Sequence, residues 1–178
     1  MRKRLGLKGE RGASLLTATL TFSALLFSPA SPAQSFVGVS VNIGPLTVHC
    51  HDAMGSLVKN YSAPMGQAAM STVIGGWPAI IVSPGHIATQ PVQFAVFTYA
   101  HECAHHSLGH IATMGMIPSH AMEYAADCRA AIDVKNAGWL PAPDFNVAMS
   151  VLYAFPGSPT HPPGPARVAH AWNCFNNA

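Results

Sequence analysis

Charge is what this sequence has least of. Charged side chains make up 9% of its 178 residues, against 49% that are hydrophobic. Such a chain has ample material for a core and is not intrinsically disordered. The formal net charge is only +2, and Arg2, Lys3, Arg4, Lys8 and Arg11 crowd the first dozen positions. No basic stripe follows them, so the sequence offers no grip on nucleic acid. Long apolar runs are also missing beyond the N-terminal segment. The most apolar later stretch is broken by Pro78 and Pro84, so no further bilayer span is expected. There is no C-x-x-C pair, which argues against a thiolate zinc site. No internal repeat is visible, and the length fits at most one domain of ordinary size.

What is present begins with a three-part pattern over residues 1–33. A basic n-region precedes an uncharged apolar run from Ala13 to Phe27, then "SPASPA" with Ser31 and Ala33 at −3 and −1 of a cut. This reads as a secretory signal peptide, leaving 34–178 as the exported domain, periplasmic or secreted. Export gives meaning to Cys50, Cys103, Cys128 and Cys174. In an oxidising compartment an even count favours two disulfides, of which three connectivities exist. The expected pairing is Cys50–Cys174, tying the chain ends, with Cys103–Cys128 stapling two helices.

Along the exported part, "FVGVSVNIGPLTVH" alternates like strands, and Ala79–Ser83 reads as a short strand between proline and glycine. Thr89 is expected to cap a helix with Pro91 in its first turn, running to about Leu108 with Gly109 near its end. Ser119 should cap a second helix closed by Gly138. Two more are expected, over Pro143–Ala154 and Ala166–Phe175, around the proline-rich loop "FPGSPTHPPGP". Strands followed by helices make the class α+β, a small N-terminal or edge sheet packed on a helical core.

The compositional excess is histidine, ten in all, four of them within "YAHECAHHSLGH". His101-Glu102-Cys103-Ala104-His105 fits H-E-x-x-H. At about 100° per residue, positions four apart lie within about 40° on one helix face. Two imidazoles can then share one ion, with Glu102 at the edge of the site to accept a proton from its water. A catalytic zinc needs a third ligand, and Glu123 on the next helix supplies it. Asp127, one turn on, is suited to fix a ligand histidine through its free N–H. The metzincin pattern would need glycine at 108 and histidine at 111, but Leu108 and Ile111 stand there, so His110 is not a ligand of that kind. His106 points off the metal axis, and Cys103 faces away from its ligand neighbours. His86, His120 and His170 read as structural or surface residues.

With "HECAHH", "EYAAD" and "THPPGPARV", the sequence resembles the gluzincin zinc endopeptidases that include CAAX prenyl proteases and HtpX-like heat-shock proteases. That resemblance implies one Zn²⁺ per chain held by His101, His105 and Glu123, with Glu102 as base and Asp127 in support. It puts His161 and Arg167 near the active site, His161 being the leading oxyanion donor and Tyr124 a distant second. The implied substrate is a protein or peptide, bound by strand addition to Ala79–Ser83. The membrane members' helices are missing, and the chain is short for the group. Two readings follow: a minimal protease with an open site, or a domain whose substrate groove a partner protein completes.

Overall fold

The computed structural model describes residues 34–113 and 119–178. The expected signal segment, 1–33, lies outside them. Six strands come first: β1 Ser35–Gly38, β2 Ser40–Ile43, β3 Leu46–His49, β4 Lys59–Ser62, β5 Ala69–Ile74 and β6 Trp77–Val82. Helices follow: α1 Pro84–Ile87, α2 Val92–Ser107, α3 His120–Asn136, α4 Ala142–Tyr153 and α5 Gly164–Asn177, with a 3₁₀ turn, His110–Thr113, after α2. The fold is α+β.

The main sheet has the order β1-β4-β6-β5, and β2 and β3 form a separate hairpin. β4 and β6 are parallel, while β5 pairs antiparallel with β6 from Ala69↔Val82 to Ile74↔Trp77. A two-residue loop, Gly75-Gly76, joins β5 to β6 with φ of 58° and 82°. Both values lie in the left-handed region that a tight hairpin turn needs and that only glycine enters freely. β5 is thereby the sheet's outer strand on the helical side. β6, the strand expected to take up a substrate backbone, is paired on both edges and offers none.

α2 lies between the sheet and the other helices. Phe94, Val96, Phe97, Tyr99 and Ala100 are all buried, so the helix is apolar around much of its girth, as a central helix must be. On one side it meets Ile80 and Val82, and on the other Ala130, Val134, Phe145, Met149 and Leu152 in one continuous core. α2 starts later than expected. Pro91, not Thr89, stands at its N-cap, and the Thr89 hydroxyl donates instead to the His86 carbonyl. Ser119 does cap α3, accepting from the Met122 N–H, and Gly138 closes that helix at φ 68°.

All four cysteines are paired, as Cys50–Cys103 and Cys128–Cys174. This corrects the expected connectivity. Cys103 sits midway between His101 and His105, about 200° around the helix from each. α3 packs on the histidine side and brings Glu123 there, so Cys128 is out of reach. Cys103 meets the end of β3 instead, where Cys50 is 1% exposed. Cys128 turns to α5. Among the described residues no helix is long and apolar enough to cross a membrane.

Candidate metal centre

Helical spacing places the two imidazoles of α2 together. The Nε2 atoms of His101 and His105 are 3.1 Å apart. α3 brings Glu123 against both, Oε2 at 3.3 Å from His101 Nε2 and Oε1 at 3.4 Å from His105 Nε2. The three side chains are buried, Glu123 being 2% exposed.

Behind His101 stands Asp127, whose Oδ1 is 2.9 Å from His101 Nδ1. Arg167, from α5, grips the same carboxylate with two nitrogens, each at 2.7 Å. Burial works against charge on His101, yet Asp127 and Glu123 outweigh it and push the imidazole up to about 10. Burial likewise works against the carboxylates. The imidazoles nonetheless hold Glu123 well below the usual range, and Arg167 with His101 holds Asp127 down. Arg167 is itself shifted up, burial notwithstanding, by Asp127.

The donor set fits a metal ion. Asp127 accepts from the His101 Nδ1–H, so once the proton on Nε2 is displaced that atom presents a lone pair toward the His105 Nε2, 3.1 Å away. Two lone pairs at that distance repel unless a cation, a proton or a metal, lies against them. Glu123 Oε2 is buried and makes no well-directed hydrogen bond among the described residues, although imidazole nitrogens lie 3.3 and 3.4 Å away. An unbonded buried carboxylate oxygen is costly without a cation. Two imidazoles and one carboxylate are the N₂O set that a zinc of the catalytic type takes. A second grouping, Cys128, His170 and Cys174, cannot ligate in the same way, because its two sulfurs are joined to each other.

Glu102 stands outside the ligand group. Its Oε2 accepts the Ser71 backbone N–H at 2.7 Å and lies 2.6 Å from the Ser71 hydroxyl. Ser71 belongs to β5, so the glutamate is tied to the sheet's outer strand. A cleft of about 640 Å³ opens beside these residues, lined by His101, Glu102, His105, Glu123, His161 and Arg167. Its far wall is apolar, built from Phe94, Phe97, Leu152 and Phe155, and β5 contributes Ala69, Met70 and Ser71.

His161 reaches the same place, with Nε2 3.4 Å from Glu123 Oε2 and the side chain half exposed. Its loop is closed on itself: Ser158 N–H donates to the His161 carbonyl, and His161 N–H to Ser158 Oγ. Tyr124, the second oxyanion candidate, packs on His170 instead and lines no part of the cleft. His106 points off the metal axis as expected and bonds the Ala79 carbonyl at 2.9 Å, pinning α2 to β6.

Sequence reasoning gave no role to Ser71 or His110. Ser71 is 31 residues from Glu102, with no motif to join them. His110 lies 2.9 Å from His105, Nδ1 to Nδ1. Comparison with protein-family models, with curated proteins and with solved structures returned no match.

Proposed function

We propose that the chain is an exported, zinc-dependent endopeptidase of the gluzincin kind, hydrolysing peptide bonds in protein or peptide substrates. One observation carries the reading. Glu102 borders the three ligands and lines the cleft, yet takes no part in the ligand group. Ser71 anchors only Oε2, so a purely structural tie to β5 leaves the second carboxylate oxygen without a task.

When bound, the ion would polarise a substrate carbonyl and acidify water in the cleft. The protein's own groups do the rest. Ser71 holds Glu102 by Oε2, and Oε1 carries no hydrogen bond among the described residues, so it is the atom that takes a proton from water and returns it to the leaving amine. His161 stands across the ligand carboxylate, where a ring N–H can meet a developing oxyanion. The outer edge of β5, not β6, borders the cleft, and an extended substrate can add there on either side of Ser71, whose own N–H is held by Glu102. The phenylalanine-lined wall favours a large apolar side chain on the substrate. Export is supported by the signal pattern together with the pairing of all four cysteines.

The test is zinc-loaded protein incubated with unfolded casein, with and without a chelator, beside the Glu102→Gln variant. Chelator-sensitive cleavage, lost in the variant while one zinc per chain is retained, is expected. Zinc at one equivalent with no cleavage of any protein tried would leave a metal-binding module.

A further inference from the structure

We infer that His110 is a positioning residue for His105, the counterpart on the second imidazole of what Asp127 does for His101. The inference rests on the metal centre proposed above, not on the reaction it performs.

One ring nitrogen of His105 must be bare to meet an ion. His105 Nε2 faces Glu123 at 3.4 Å and His101 at 3.1 Å, so this is the atom that meets an ion. A neutral imidazole with its lone pair on Nε2 carries its proton on Nδ1. That Nδ1 lies 2.9 Å from His110 Nδ1, with the ring planes inclined by 62°. His105 is the donor, and His110 must accept on Nδ1 and keep its own proton on Nε2. A ligand histidine whose outer N–H is held in this way cannot flip its ring or exchange tautomers without breaking the bond.

His110 is not a fourth ligand in this arrangement. It touches the outer nitrogen of His105, on the side away from Glu123, and the ligand atoms that converge come from His101, His105 and Glu123.

The chain makes a specific turn to deliver it. Continued as an ideal helix, position 110 would lie about 140° from position 105. α2 instead stops at Ser107, and Gly109 enters the left-handed region at φ 72° while its N–H bonds the His106 carbonyl. The reversal brings His110 back over the face that His105 occupies.

The two buttresses differ in kind. Asp127 is an anion neutralised by Arg167, whereas His110 is a neutral acceptor. Both give their ligand the same tautomer, and they do so from different elements.

Asparagine and glutamine at position 110 provide the test. The Asn oxygen stands where Nδ1 stands, and the Gln amide reaches one bond further, toward Nε2. Zinc affinity of the purified chain is measured by competition with a chromophoric chelator, and urea midpoints of the metal-free proteins are recorded alongside. His110→Ala and His110→Gln should bind zinc roughly 10–100-fold more weakly than the parent, the usual effect of losing a partner behind a ligand histidine. His110→Asn should recover most of the loss, with metal-free midpoints unchanged across the three. Ala binding within twofold of the parent, or Asn no tighter than Gln, would overturn the inference. If Ala does not fold, the Asn–Gln comparison decides alone. None of these readouts needs hydrolysis, so a chain that binds zinc but cleaves nothing would sink the peptidase reading and leave this one standing.

Discussion

Arg167 and Asp127 meet as a two-pronged pair, Nε to Oδ2 and a terminal nitrogen to Oδ1, both at 2.7 Å and both buried. Neither group would be tolerable there alone. Arg167→Met should leave His101 as the only partner of the buried Asp127 and cost about 1–3 kcal/mol of stability, while Asp127→Asn combined with Arg167→Met should recover part of that loss. Asp127→Asn alone should weaken zinc binding by roughly 10–100-fold. Urea unfolding and chelator competition on the purified variants measure the two effects separately. An Arg167→Met protein as stable as the parent would contradict the pairing.

The metal-free protein should have a distinctive dependence on pH. His101 is held at about 10, above the roughly 6.5 of an unfolded histidine, so its contribution is full below about 6.5 and drains away as pH rises toward 10. Glu123 and Asp127 are depressed, so their contributions are present above the ordinary carboxylate range and fade as pH falls. Melting temperatures of chelator-treated protein should therefore decline from pH 7 to 10, and decline again under acid. Zinc must displace the His101 proton, so its affinity should climb over the alkaline window and calorimetry should register proton release. A flat melting curve from pH 7 to 10 would mean that no proton sits between the two imidazoles.

Cys50–Cys103 closes a loop with a sequence separation of 53 and fastens α2 midway between its two ligand histidines. Chain-entropy arguments give about 4 kcal/mol for a loop of that length. Replacing both cysteines by alanine should lower stability by about 2–5 kcal/mol and weaken zinc binding with it. Cys128–Cys174, which joins α3 to α5, should show the same sign. Unfolding curves with and without reductant test both at once.

His161 should govern turnover more than metal retention. As an oxyanion donor, its loss in His161→Ala should cut kcat by roughly 10²–10³ with little change in KM. If it instead closes on the metal as a fourth ligand at rest, the same change would raise the rate. The loop supplies a second probe. Gly157 sits at φ 85°, and a Cβ there would come within 2.8 Å of Pro163 N. Gly157→Ala should displace the loop and shift turnover in the same direction as His161→Ala, with zinc still bound.

Much of the ligand group was legible because it obeys local rules. H-E-x-x-H needs only the helical repeat, and Glu123 and Asp127 sit one turn apart on a helix whose cap and stop were both written in the sequence. What escaped was whatever depends on how separate segments meet. Ser71 sits in Ala69–Ile74, whose β-branched Thr72, Val73 and Ile74 ahead of Gly75-Gly76 are a hairpin signal that the small residues just before them obscured. Reading Ala79–Ser83 as the substrate strand failed for the same reason, since an unseen neighbour covers that edge. His110 was hidden because it lies past the helix end at Gly109, where helical spacing no longer tells which face a side chain takes. The cysteine pairing was open because spacing leaves three solutions; the side of α2 taken by α3 removes Cys103–Cys128, and the end of β3 beside Cys103 selects Cys50 for it.

Each helix that builds the metal centre also carries one half of a sulfur–sulfur bond: Cys103 on α2, Cys128 on α3, Cys174 on α5. On the proposed metal centre, thiol oxidation should therefore precede metal capture. A chain still holding thiols has loosely tethered ligands and should compete poorly for zinc, while an oxidised chain presents them already aligned. The two covalent ties would thus set the timing of metal uptake as well as the stability of the fold. Pulse-labelled chains should acquire zinc only after their thiols become unreactive.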